Sequence, residues 1–440
     1  MGKTVQTAYG LIEGIDREGY SVFKGIPYAK SPVGELRWKA PVECDPWDGV
    51  YRADHFGNIA MQDLPTGKYT WDALYYKEFY SDPDYIPPMS EDCLYLNIWA
   101  PEGGKDLPVA FWIHGGGFGS GFNSEIEFDG EAYCKKDVIL VTVEYRLNVF
   151  GFLAHPWLSA ENERGISGNY GILDQIAALR WVYENIAAFG GDPKNITVYG
   201  QSAGGMSTQV LVSSYLTDGM ISKAILQSAV ACEADILATP SLSRLEGFCS
   251  RFPKIAGVSS LKELRALTSE QLMDCKHEFE KQMMEEGAGL ILVPNVDGYV
   301  LEKDVKTLWK EGSIKDIPYM TGAVTNDLGS TPEEIKNKEP GIMLTESKAW
   351  SFGCEKNFGH PAYVYYFSHD LPGDDAGAFH SAELWYTFGT YKRSWRPMGD
   401  TDAKLSEEMV SCWTNFMKSG KPDGENWQPC TQENPKVREF

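Results

Sequence analysis

The pentapeptide Gly200-Gln201-Ser202-Ala203-Gly204 follows the apolar run Ile196-Thr197-Val198-Tyr199 and precedes a segment able to open a helix. A strand that turns into a helix within so few residues places its central serine in a strained backbone conformation. Only glycine at the flanking positions then lets neighbouring chain pass close by. The pattern is that of a nucleophile elbow. Its hydroxyl stands at a helix N-terminus, where the backbone N–H of Ala203 faces a developing oxyanion. Five residues with three fixed recur by chance, so the motif alone leaves a plain glycine-flanked turn open.

Upstream, Pro108-Val109-Ala110-Phe111-Trp112-Ile113 reads as a buried strand running into His114-Gly115-Gly116-Gly117-Phe118. This has the form of the oxyanion loop of lipases and esterases. Three successive glycines remove every β-carbon from the bend, so the N–H groups of Gly116 and Gly117 can point at one oxygen beside that of Ala203. A phosphate cradle is the alternative for such a loop. The continuation Gly117-Phe118-Gly119-Ser120-Gly121 lacks both the Gly-x-Gly-x-x-Gly spacing and a following Lys-Ser/Thr.

A serine nucleophile needs a base, and the chain has seven histidines. In the order serine, acid, histidine, only His277, His360, His369 and His380 follow Ser202. His277 lies in a polar helical run and reads as solvated, whereas His360 and His369 bracket the strand-like Ala362-Tyr363-Val364-Tyr365-Tyr366-Phe367. His380, in a loop after Gly373-Asp374-Asp375-Ala376-Gly377 and before the helix-like 382–386, is the preferred base, with His369 as the alternative. The acid must orient the imidazole and stabilise its charged form. Asp327, beyond the strand-like Ile317–Gly322 and two residues before Gly329, is the expected acid. The alternative for it is an Asx-turn residue, with Asp297, Glu333 and Glu334 as the other carboxylates to weigh.

Taken together, these residues resemble the type-B carboxylesterases, a family that also includes the cholinesterases, para-nitrobenzyl esterases and catalytically inactive neuroligins. The resemblance covers most of the chain. It begins at Gly25-Ile26-Pro27-Tyr28-Ala29 and Pro32-Val33-Gly34-Glu35-Leu36-Arg37 and continues at Glu91-Asp92-Cys93-Leu94-Tyr95-Leu96-Asn97-Ile98. It is strongest from Tyr145-Arg146 through Asn169-Tyr170-Gly171-Ile172-Leu173-Asp174-Gln175 and Phe189-Gly190-Gly191-Asp192-Pro193 to the elbow. The resemblance implies an α/β-hydrolase fold: a central, mostly parallel twisted sheet, helices on both faces and helical insertions over the active site. It implies Ser202 as nucleophile, His380 as base, Gly116, Gly117 and Ala203 as oxyanion donors, and Gln201 and Ser228 as supporting side chains around them. No cofactor or metal is implied.

Three features depart from the family pattern. The usual glutamate directly before a glycine is replaced by Leu328, so Asp327, one position earlier and shorter, must reach His380 through a different turn. Secreted relatives pair the cysteine of the Glu91-Asp92-Cys93 block with one upstream, but Asn58-Ile59-Ala60-Met61 holds none. Cys93 is therefore expected to be a free, buried thiol unless Cys44 reaches it. The chain is also short for the family, so part of the usual C-terminal region is expected to be missing.

Residues 1–440 are expected to form one domain, because a large α/β sheet with inserted helices accommodates this length and its 43% hydrophobic content. The aromatic loop 60–90, with Trp71 among its rings, and the helical insertion 240–290 are candidate pocket walls, and Phe118 is a candidate substrate contact. A formal net charge of −22 argues against nucleic acid, anionic membranes and polyanionic substrates. The expected partner is a small or medium uncharged or aromatic ester; the oligomeric state is unreadable. Lactone, amide and carbamate hydrolysis share the same chemistry, and a neuroligin-like binding module is the non-enzymatic alternative. Nine cysteines without Cys-x-x-Cys spacing, no apolar signal core and no long apolar run give an expectation of cytoplasmic residence.

Overall fold

Short runs of β-branched, aromatic and aliphatic residues bounded by turn formers build the sheet. The structure, a computed structural model, describes residues 2–69, 72–230, 232–234, 239–423 and 426–440. Ten strands form the main sheet: β1 (Ile15–Arg17), β2 (Tyr20–Pro27), β3 (Tyr95–Pro101), β4 (Leu107–Ile113), β5 (Ile139–Val143), β6 (Gly191–Gln201), β7 (Lys223–Gln227), β8 (Tyr319–Val324), β9 (Tyr363–Phe367) and β10 (Arg438–Glu439). Their spatial order is β10-β9-β8-β7-β6-β4-β5-β3-β2-β1. From β10 to β5 every neighbouring pair is parallel; the β5-β3-β2-β1 edge is antiparallel. A separate three-stranded sheet joins Thr4–Gln6, Leu11–Glu13 and Val50–Arg52.

Strand β4 shows why both faces of the sheet are covered. Val109, Phe111 and Ile113 enter one hydrophobic cluster, while Ala110 and Trp112 enter the other. With a period of two and apolar residues at every position, each face must bury its own side chains. The first cluster takes Ile172, Ile176 and Leu179 from the helix Tyr170–Asn185 and Val210 and Leu211 from the helix Ala203–Ser213. The second takes Met409, Trp413 and Phe416 from the helix Asp400–Ser419. This is the expected α/β-hydrolase architecture.

The 240–290 region forms helices Leu242–Cys249, Phe252–Ile255, Leu261–Arg265 and Ser269–Glu285. Their apolar stripe, with Leu245, Phe252, Leu264, Leu272 and Phe279, continues the first cluster. All nine cysteines are free thiols; Cys93 is buried and Cys44 is unpaired. Among the described residues, no helix is long and apolar enough to cross a membrane.

Candidate active site

Parallel strands deliver their C-terminal ends to one edge of a sheet, and the loops that leave that edge are where α/β folds build sites. Ser202 follows β6, the His114–Gly117 loop follows β4, and Asp327 follows β8. Ser202 has φ 55° and ψ −126°, a conformation rarely adopted by a residue with a side chain, and its carbonyl accepts from Met206 N at 2.9 Å to start the helix. The flanking glycines are sterically required. A Cβ on Gly200 would lie 2.4 Å from the Gly204 carbonyl carbon, and one on Gly204 would lie 2.0 Å from Ile113 O.

The His114–Gly121 bend is held from three sides. Gly119 N and Ser120 N both donate to Gly116 O at 3.0 Å, Asn148 N donates to Phe118 O at 2.7 Å, and His114 Nδ1 stands 2.9 Å from Gly115 O. Burial pushes the His114 imidazole down to about 4, so it stays neutral, stacked on Tyr145. The buried Gln62 clamps Gly121 in both directions, donating to its carbonyl at 3.0 Å and accepting from its N–H at 2.8 Å. Gly116 has φ 102°, and a Cβ there would strike Ser120 O at 2.1 Å. The N–H groups of Gly116, Gly117 and Ala203 have no hydrogen-bond partner among the described residues, and Gly116 and Gly117 are exposed.

His380 Nδ1 lies 2.6 Å from Asp327 Oδ1, and both side chains are buried. The shorter acid reaches the imidazole because the two loops are stitched together. Asn326 N donates to Ala378 O at 2.9 Å and Asn326 Nδ2 to Ala376 O at 2.7 Å, which brings residue 327 beside residue 380. Asp327 also accepts from Ser228 Oγ at 2.7 Å, Val324 N at 3.1 Å and Leu328 N at 2.8 Å. The carboxylate is thereby held in place as an acceptor from four sides. His380 Nε2 lies 3.0 Å from Gln201 Nε2, and Ser202 Oγ makes no hydrogen bond among the described residues. With Nδ1–H given to Asp327, Nε2 has one lone pair, so Gln201 must yield it before Ser202 can donate there.

Glu383, one turn past His380, is buried and accepts from Gln227 Nε2 at 3.2 Å. Burial, reinforced by the Asp327 charge, pushes it up to about 7. The other candidates stand elsewhere. His369 pairs with Asp402 at 2.9 Å, His360 with Asp316, and His277 with Asp63. Asp297 accepts from Asn169 and from the Tyr299, Val300 and Leu301 amides, while Glu333, exposed, and Glu334, half-buried, lie in the first turn of the helix Pro332–Asn337.

One expectation is corrected. Phe118 offers no substrate surface: its ring is 1% exposed and meets Phe152 edge-on, because φ 61° turns the side chain under the loop. Trp71 lies outside the described residues. Gln62 and Asn326 were not anticipated because each acts on a segment far away in sequence, and the pair Glu125–Glu127 because only the tertiary packing buries it. Glu125 and Glu127 follow the oxyanion bend, fully buried, with Tyr80 Oη donating to Glu125. Burial raises Glu125 from 4.5 to about 7, and burial with the neighbouring Glu125 charge raises Glu127 well above its usual range.

A carboxyl whose folded value is raised stabilises the fold fully below its unfolded value and loses that contribution as pH rises through the folded value. Ionisation of Glu125 is therefore expected to lower the melting temperature between about pH 4.5 and 7, against an opposite contribution from the buried neutral His114. Glu125→Gln, which cannot ionise, should reduce that fall by a few degrees in thermal melts across this window. A melting profile as steep in the variant as in the wild type would disprove the buried-acid account.

An ester hydrolase of the α/β-hydrolase class is what this fold and these loops define. The chain belongs to the carboxylesterase family, whose model matches residues 2–351 and 342–440. It is 32% identical to the para-nitrobenzyl esterase of Bacillus subtilis over 98% of this chain and 93% of that protein. It is 31% identical to the fumonisin B1 esterase of Sphingopyxis macrogoltabida over 95% of this chain and 82% of that protein. Among solved structures, a thermophilic PNB esterase superimposes with a TM-score of 0.85 at 30% identity, covering 100% of this chain and 96% of that one. A carboxylesterase of Geobacillus stearothermophilus gives 0.79 at 31% identity, covering 99% and 96%.

Proposed function

We propose that Ser202, His380 and Asp327 carry out two-step acyl transfer to water on small to medium, uncharged or aromatic carboxylic esters. His380 Nε2 takes the Ser202 proton as Oγ attacks the ester carbonyl. The tetrahedral oxyanion rests on the N–H groups of Gly116, Gly117 and Ala203, and His380 then protonates the leaving alkoxide. Water repeats the cycle on the acyl-enzyme and frees the acid. The observation that carries this reading is the meeting of three loops: a strained serine, an imidazole tied to a buried carboxylate 2.6 Å away, and three unpartnered amides.

The pocket walls belong to the same reading. A cavity of about 670 Å³ is lined by Met206, Val210, Leu245, Phe248 and Ile291; Met206 is on the helix that Ser202 starts, and Ser202 and His380 are not in its wall. Its volume suits a medium acyl or aromatic group, and the 240–290 insertion supplies much of its lining. The para-nitrobenzyl and fumonisin B1 names of two relatives differ so widely in substrate that neither transfers on family grounds. Nine unpaired cysteines support residence in a reducing compartment, and the whole chain is read as one catalytic domain.

Two measurements test this reading. A fluorophosphonate should label the wild-type protein on Ser202 and leave other serines unmodified; absence of labelling in active protein would remove the serine mechanism. With p-nitrophenyl esters of increasing acyl length, kcat/KM is expected to peak at a medium chain. Equal values from acetate to long chains would eliminate the shaped acyl cavity.

A further inference from the structure

The aromatic loop carries a short helical segment, an α-turn at Ala73–Tyr75 that widens into a π-helix over Tyr76–Tyr80. Such widened turns expose or redirect side chains that a regular helix would stack. Tyr75 Oη donates to the main-chain carbonyl of His380 at 3.2 Å. Its ring meets Phe379, the residue before the base, edge-on at 6.4 Å, and Phe79 lies 6.4 Å from the same ring. Burial and the charges of Asp327 and Glu383 raise the Tyr75 phenol, which keeps it a donor.

One turn on, Glu78 anchors the segment. Its carboxylate accepts Arg396 Nε at 2.9 and 3.0 Å, Trp385 Nε1 at 2.8 Å and Trp395 Nε1 at 2.9 Å, and neither charged side chain has any exposed surface. Arg396 in turn holds Asp374 and the Pro372 carbonyl, at the start of the loop that carries His380, and lies over Phe379 at 5.4 Å. The chain is thus held on both sides of the base: the 73–80 segment bonds the His380 carbonyl and packs on the Phe379 ring, and the guanidinium lies over that same ring.

We propose that Tyr75 is a positioning residue for the catalytic base: its hydroxyl fixes the main chain at His380, and the buried Glu78–Arg396 pair holds Tyr75 in place. The inference rests on His380 being the base, as read above. It gives the aromatic loop a role in the chemical step, distinct from lining a pocket. A base displaced by a fraction of an ångström meets the serine hydroxyl at a poorer angle and slows proton transfer without weakening ester binding.

Tyr75→Phe removes one hydroxyl and leaves the ring packing intact. It should lower kcat on p-nitrophenyl acetate and the fluorophosphonate labelling rate together, by about five- to twentyfold, with KM and melting temperature nearly unchanged. Glu78→Leu with Arg396→Met removes the pair without leaving a lone buried charge. In that background Tyr75→Phe should cost less than in the wild type, since the anchor it depends on is gone. Turnover by Tyr75→Phe within twofold of wild type, a loss confined to KM, or strictly additive penalties would each overturn the proposal. Ser202→Ala run alongside separates the failures. If it is inactive while Tyr75→Phe is unaffected, only this inference falls; if it retains activity, the catalytic reading falls first.

Discussion

Ser202→Ala is expected to lower kcat for ester hydrolysis by about a millionfold, with correctly folded protein and little change in substrate binding. The size follows from the site's division of labour. Without Oγ there is no acyl-enzyme, and His380 and Asp327 have no proton to move. The N–H groups of Gly116, Gly117 and Ala203, proposed as the oxyanion donors, remain and would leave only the residual rate over water that such donors sustain. Replacing serine with alanine keeps a side chain at the strained φ of 55°, so the elbow is not relaxed by the change. Turnover of a p-nitrophenyl ester measures the loss, and retention of more than a few per cent of wild-type activity would sink the assignment.

Asp327→Asn is expected to reduce kcat by about ten-thousandfold. The carboxylate accepts from four donors, His380 Nδ1, Ser228 Oγ, Val324 N and Leu328 N, and holds the imidazole tautomer whose Nε2 lone pair is free to take a proton. An amide of the same shape can donate to Nδ1, which favours the tautomer protonated at Nε2. That imidazole cannot accept from Ser202, nor is its charged form neutralised in the transition state. The variant should fold, because only one atom changes, and circular dichroism with single-turnover labelling would separate folding from chemistry. Unchanged turnover would shift attention to Glu383, a buried carboxyl that interacts electrostatically with His380. The two carboxyls differ in their solvation: burial holds Glu383 up at about 7, whereas Asp327 is surrounded by donors.

Legibility in the sequence tracked the distance over which each constraint acts. The elbow and the glycine bend were readable because their constraints are local sterics: a Cβ on Gly204 or Gly116 would collide with backbone only a few ångströms away. The strand read at Pro108–Ile113 forms as β4, because an unbroken apolar run of that length suits a strand buried on both faces. His380 could be ranked above His369 from its loop setting, and the structure ties His369 to Asp402 instead. Phe118 was misread because sequence gives the order of residues around a bend but not which way a ring turns when φ is positive.

What the sequence by itself determined is the set of short segments whose conformation is dictated by their own atoms: a serine held at a strained turn and a run of amides with nothing in their way. Tertiary structure alone decided how an aspartate one position early still meets the imidazole, through Asn326 bonding to Ala378 and Ala376, and how Tyr75 comes to lie on His380. Those contacts join residues about 50 and 300 positions apart, as chain closure by the whole sheet arranges them, and no local pattern of side chains records which partner a distant loop will find.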